Sequence, residues 1–242
     1  MNILFAGSPN SSSRILETLA SLDSVNIKGV LTKPDKRGKR GSKLHESAVA
    51  TTANKFDLKV FKPKSLNETD FKTDIHCLNL DLIVVVAYGK LIPNWLLNLP
   101  KVMCLNVHFS LLPKYRGASP IQSSILNGDC ETGISFMRMT DQLDEGGLIL
   151  TKTTLINKDD NKISVEERLT DLAIDNIESV FNILKNNTAL VTDQDDSRAS
   201  YCKKILKKDS VTNFNDSAIN ILKKFKAYFE WPGLSFIFKG IE

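Results

Sequence analysis

The stretch Leu82-Ile83-Val84-Val85-Val86-Ala87 constrains the fold more than any other part of this 242-residue chain. It is apolar without a break and rich in β-branched residues, yet far shorter than the roughly 20 residues that a membrane-spanning helix requires. A strand with one face in water would alternate between apolar and polar residues. This one does not, so the run predicts a central strand buried on both faces, as in a parallel sheet covered by helices. Strand-like runs at Asn2 to Ala6, Val25 to Leu31, Leu58 to Phe61 and Met103 to Val107, with helix-like or polar segments between them, supply the rest of an α/β alternation.

After the first run, Gly7-Ser8-Pro9-Asn10 makes the turn, and Ser11-Ser12-Ser13 offers caps for a helix carrying Ile15, Leu16, Leu19 and Leu22. The opening is Rossmann-like but lacks Gly-x-Gly-x-x-Gly, so no dinucleotide is expected. Beyond Pro120 a helix should hold Ile121 and Ile125, followed by strands at Gly133 to Met139 and Leu148 to Leu155. Ser164, with Glu167 three residues on, predicts a capping box for the next helix, which runs through Leu169, Leu172, Ala173 and Ile177 toward Leu184. From Asn186 to Arg198 the chain turns polar and reads as a linker. These cues divide the chain into an N-terminal domain over 1–189, a linker over 190–203 and a C-terminal piece over 204–242, with an amphipathic helix through Ile219, Ile221, Leu222 and Phe225.

With 42% hydrophobic and 25% charged residues the chain is expected to be globular rather than disordered, and a net charge of +4 is too mild to declare a nucleic-acid binder by itself. Cys77, Cys104, Cys130 and Cys202 are widely spaced with no Cys-x-x-Cys, which argues against a zinc site and predicts free thiols in a reducing compartment. Met1-Asn2-Ile3-Leu4 opens at once with a strand-like run, so a cytoplasmic location without membrane attachment is expected. The cations cluster in Lys33-Pro34-Asp35-Lys36-Arg37-Gly38-Lys39-Arg40-Gly41-Ser42-Lys43, interleaved with Gly and Pro. Such a run is a surface loop, equally a solvated one or one that grips phosphates.

The chemistry concentrates after the fifth strand-like run, in Asn106-Val107-His108-Phe109-Ser110-Leu111-Leu112-Pro113-Lys114-Tyr115-Arg116-Gly117. Residues i and i+2 of a strand share a face, so Asn106 and His108 point to the same side. A carboxamide N–H can stabilise an oxyanion and an imidazole can exchange a proton near neutral pH, a pairing that suits acyl transfer. Taken alone, the pair reads more readily as two polar groups bonded at a strand end. Asp144, ahead of Gly146-Gly147, is on spacing alone a turn residue.

The segment from Asn106 to Gln122, with Glu131-Thr132-Gly133 and Asp141-Gln142-Leu143-Asp144-Glu145-Gly146, resembles the folate-dependent formyltransferases, and most of all the branch whose acceptor is methionyl-tRNA. The resemblance runs from Met1 to near the C-terminus. It implies a formyl transferase that uses 10-formyltetrahydrofolate as donor and the α-amine of initiator methionyl-tRNA as acceptor, with no metal and as a monomer. It places Asp144 beside Asn106 and His108. Asn106 and protonated His108 would then hold the developing oxyanion, while Asp144 orients His108 and assists removal of the amine proton.

For the folate, the resemblance implies Ser110, Leu111, Leu112 and Pro113 as one wall, flanked by Tyr88, Gly89 and Ile92 on one side and Met139, Gln142 and Leu143 on the other. For the tRNA it implies Lys33, Lys36, Arg37, Lys39, Arg40 and Lys43, with Arg40 at the family's key basic position. Two departures bear on the folate pocket: Phe109 stands where the family often has a small residue, and Gln142 where it usually has Gly. Trp231-Pro232-Gly233 resembles the entry to the family's second domain, a small β-barrel, for which the residues that follow are too few. The alternatives are an N-formyltransferase acting on a nucleotide-linked amino sugar and a non-catalytic RNA- or folate-binding relic.

Overall fold

The computed structural model describes residues 1–37, 44–186 and 191–237, and the backbone alone at Arg37. Its strands are β1 (Asn2–Gly7), β2 (Asn26–Leu31), β3 (Lys36–Arg37), β4 (Leu44–His45), β5 (Val60–Phe61), β6 (Leu82–Val86), β7 (Met103–His108), β8 (Arg116–Gly117), β9 (Glu131–Arg138), β10 (Leu148–Leu155) and β11 (Tyr201–Cys202). Its helices are α1 (Asn10–Ala20), α2 (Ala48–Lys55), α3 (Thr69–His76), α4 (Asn94–Leu97), α5 (Pro120–Asn127), α6 (Lys162–Lys185) and α7 (Ala218–Ala227).

The main sheet has seven strands in the order β10-β9-β7-β6-β1-β2-β5. The pairs β1–β2, β1–β6, β2–β5 and β6–β7 are parallel. The uninterrupted apolar run is β6, the middle strand, and each of its five residues is buried. The chain leaves β1 toward β2 and β5, then returns to the other side of β1 as β6 and β7. That reversal at β1/β6 is where open α/β sheets leave a crevice beyond the strand ends. Ser8, just past β1, donates to the Tyr88 carbonyl just past β6 at 3.4 Å.

Two compact units emerge, Met1–His108 with Phe136–Leu150 and Ala173–Asp193, and Phe109–Ser135 with Thr151–Leu172 and Gln194–Glu242. In the first, Ile15, Leu16 and Leu19 of α1 are fully buried, and Phe61, Phe71, Leu80, Ile83 and Leu96 share one apolar cluster. The serines expected to cap α1 do something else. The residue before α1 is Pro9, without a side-chain cap, while Ser12 donates to the Val86 carbonyl at 2.6 Å and Ser13 bonds Thr52 at 2.8 Å. Packing of α1 against β6 and α2 gives these hydroxyls better partners than the helix terminus does.

In the second unit, α7 packs against α5, with Lys223 donating to the Asn127 carbonyl at the end of α5. The segment read as polar linker is anchored in both units. Thr192 exchanges backbone bonds with Leu148, and Gln194, Asp196 and Tyr201 surround the buried Arg116 at 3.0, 2.6 and 3.1 Å. A guanidinium that is 1% exposed must have its donors met, and here residues of this segment meet them. Phe214, Ile219, Leu222, Phe225, Trp231 and Phe236 are exposed large apolar residues of this unit. No helix among the described residues is long and apolar enough to cross a membrane.

The capping box of α6 lies one turn before its expected place. Asn161 Oδ1 accepts from the Ile163 and Ser164 amides, and Ser164 Oγ accepts from the Asn161 amide. Asp160, just ahead of it, receives both ends of the Arg168 guanidinium at 2.7 and 2.8 Å. That fork, with the Asn157 amide and the Ser164 hydroxyl, holds the Asp160 carboxyl down at about 2. A folded-state pKa below the usual carboxylate value contributes stability that is present above about pH 4 and lost as pH falls toward 2. Asp160→Asn is therefore expected to cost about 2 kcal/mol at pH 7 and little near pH 2, measured by denaturant unfolding across pH.

Candidate active site

Strand parity places the first two polar groups. Asn106 pairs with Val85 of β6, and Asn106 and His108 are buried at 9% and 6% exposure on one side of the end of β7, while Val107 between them is buried on the other. Asp144 comes from the stretch joining β9 to β10. The Arg138 amide donates to the Gly147 carbonyl at 2.9 Å, closing that stretch into a loop. Asp144 has φ 54°, a left-handed conformation that a short polar side chain tolerates.

Asn106 Nδ2 lies 3.5 Å from Asp144 Oδ1, and His108 Nδ1 lies 3.7 Å from Asp144 Oδ2. One carboxylate thus faces both the carboxamide and the imidazole, the convergence that spacing could not supply. At these separations it orients the two groups through charge, with a hydrogen bond to Asn106 at the long limit. Such a trio can offer N–H donors to an oxygen gaining negative charge and hold a proton beside it.

The remaining expected positions divide. Tyr88 and Ile92 are buried in one apolar cluster with Cys104, against which Met139 packs. Burial pushes the Tyr88 hydroxyl up to about 12, and this buried oxygen has no hydrogen-bond partner. Gly89 has φ 74°, a left-handed backbone that favours glycine, and the Lys33 ammonium lies over it. Gln142 is exposed, its amide donating to Thr140 Oγ1 at 3.3 Å, and Leu143 is 52% exposed. In the second unit, Ser110, Leu112 and Phe109 are buried; the Ser110 hydroxyl donates to the Lys114 carbonyl at 2.6 Å, and Pro113 follows a cis bond.

Of the basic positions, Lys36 is exposed and Lys33 half-buried, and Lys36 and Arg37 pair as β3 with Leu44 and His45 of β4. Lys39, Arg40 and Lys43 lie outside the described residues. The stem of the basic run is thus a short antiparallel ladder.

A cavity of about 510 Å³ adjoins the loop of Asp144, lined by Asn94, Asn98, Leu97, Met139, Thr140, Asp141 and Glu145 among others. None of the three convergent side chains lines it; their neighbours Glu145 and Gly146 do. Of the residues expected around the folate, Met139 lines this cavity; Asn94, Asn98 and Arg138 also line it and were not among those expected. The i, i+4 spacing of the two asparagines was the only signal, and it carries no chemistry of its own.

The formyl transferase family model matches residues 1–180. The chain belongs to the formyl transferase family. A curated relative, the methionyl-tRNA formyltransferase of Buchnera aphidicola subsp. Acyrthosiphon pisum, is 37% identical over 96% of this chain and 74% of its own length. Among solved structures, an N-formyltransferase from Helicobacter canadensis in complex with folinic acid and dTDP-3-aminofucose superposes with TM-score 0.71 at 19% identity, over 98% of this chain and 84% of that one. The methionyl-tRNA formyltransferase from Clostridium thermocellum superposes with TM-score 0.70 at 14% identity, over 99% and 88%. At those identities the two structures speak for the fold that this formyl transferase shares with them.

Proposed function

We propose that this formyl transferase moves a formyl group from 10-formyltetrahydrofolate to the α-amine of initiator methionyl-tRNA, as a monomer in the cytoplasm. The observation that carries the acceptor is the 37% identity to a methionyl-tRNA formyltransferase along almost the whole chain. The donor supplies an electrophilic formyl carbon. The apolar cluster around Tyr88, Ile92 and Met139, the unpartnered Tyr88 hydroxyl and the neighbouring cavity suit a flat heteroaromatic ring with a few polar edges.

Asn106 Nδ2 and the His108 ring are the N–H donors for the formyl oxygen as it gains charge. Asp144, 3.7 Å from His108 Nδ1, holds the imidazole in its productive orientation. With the acceptor amine neutral, Asp144 is also the base toward which the amine proton moves, directly or through water. The new C–N bond joins the formyl carbon to the amine, the old one to the donor nitrogen breaks, and a proton returns to that nitrogen. Burial of Asn106 and His108, with the Asp144 side chain only 13% exposed, strengthens each contact by keeping most water away.

Lys33, Lys36, Arg37, Lys39, Arg40 and Lys43 belong to the same proposal as phosphate contacts for the acceptor, and 1–189, 190–203 and 204–242 as its functional divisions. The test is an acceptor comparison: purified chain with 10-formyltetrahydrofolate is expected to formylate methionyl-tRNA and leave dTDP-linked amino sugars untouched. Preference for the sugar overturns the acceptor, and transfer to neither favours a non-catalytic relic. Replacing Lys39, Arg40 and Lys43 by Ala should flatten the salt dependence of tRNA use in the same assay.

A further inference from the structure

We propose that Gly133 and Ser135 of β9 form a cradle that sets the turn after His108, making Ser135 a positioning residue for formyl transfer. The functional half of this inference rests on the donor reading above. The two residues share one face of β9 by strand parity. Ser135 is fully buried, and its hydroxyl bonds the turn at both ends: it donates to the Ser110 carbonyl at 2.8 Å and accepts from the Leu112 amide at 3.1 Å.

Gly133 makes room for the same turn. A Cβ there would meet Leu111 Cδ2 at 2.5 Å and the Lys152 carbonyl at 2.1 Å, so only a bare backbone lets Leu111 lie over β9. The turn then closes on itself, with Ser110 Oγ donating to the Lys114 carbonyl at 2.6 Å and the Lys114 amide to the Leu111 carbonyl at 3.0 Å. A buried hydroxyl in a strand is costly unless both its donor and its acceptor are used. Here both are spent on the backbone of one turn, whose first held carbonyl is two residues past His108. The Ser110 hydroxyl, expected as part of a folate wall, also serves the turn. The placement of the whole expected wall, Ser110 to Pro113, therefore depends on Ser135.

The test is steady-state kinetics of the full chain with 10-formyltetrahydrofolate and methionyl-tRNA, together with equilibrium binding of 5-formyltetrahydrofolate. Ser135→Ala is expected to raise the donor KM and the folate Kd about tenfold, with the methionyl-tRNA KM unchanged. Ser135→Thr, which keeps the hydroxyl, should bring both within about threefold of the parent. Ser135→Cys, which keeps the side chain's shape and weakens both bonds, should give a smaller donor-selective loss and carries the test if Ser135→Ala does not fold. A purely structural role would lower Tm and leave donor KM and Kd where they were, and that result overturns the inference. A parent chain that binds the folate but does not formylate methionyl-tRNA sinks the acceptor reading instead.

Discussion

Asn106→Ala is expected to lower kcat by on the order of 10² to 10³, with the KM values and the melting temperature little changed. The carboxamide is an N–H donor at 9% exposure, so its contact with a developing negative charge is not diluted by water. Its removal takes nothing from the strand ladder that registers Val85 against residue 106, because those bonds belong to the backbone. His108→Ala should fall in the same range. Asp144→Asn separates orientation from charge: the side chain keeps its size, while the negative group 3.7 Å from His108 Nδ1 is gone. Single-turnover rates with circular dichroism of each variant check these outcomes. A loss below tenfold at Asn106 would remove it from the reaction.

Gly146→Ala is expected to cost about 10²-fold in kcat although residue 146 need not touch either substrate. A Cβ at this position would stand 1.8 Å from the Arg138 carbonyl oxygen and 2.9 Å from its carbon. Backbone cannot rotate away as a side chain tip can, so the two arms of the loop must separate. Asp144 lies two residues upstream on the displaced arm, and misplacement of a reacting group by about 1 Å suffices for a loss of this size. Gly147→Ala offers a comparison in which the added methyl meets a side chain first, Val191 at 2.2 Å, which must shift to admit it. Full activity in Gly146→Ala, or a loss accounted for wholly by unfolded protein, would contradict the argument.

Much of this was legible in the residues. The absence of polar alternation in Leu82 to Val86 named the middle strand of the sheet, and the parity of Asn106 and His108 put two polar groups on one side of a strand end. Both follow from local geometry, a period of two that holds wherever the strand ends up. Local patterns misled where a long-range partner competed. Ser12 and Ser13 look like caps, but the Val86 carbonyl and Thr52 claim their hydroxyls. Ser164 looks like the head of a capping box, yet Asn161 takes that role, immediately after the Asp160–Arg168 pair. The segment after residue 190 reads as linker from its polarity, and the pattern could not show that Gln194 and Asp196 within it meet a buried arginine from β8.

The sequence by itself determined the α/β class, the strand that lies at the centre and the two polar residues at the end of β7, since periodicity and apolar runs are properties of neighbours along the chain. For Asp144, spacing said only turn residue and family resemblance supplied the expectation; tertiary structure shows it meeting them, and it alone decided that Ser135 holds the turn that follows. Those meetings join residues far apart in sequence, and only the pairing of strands and the exclusion of water between them make such contacts favourable.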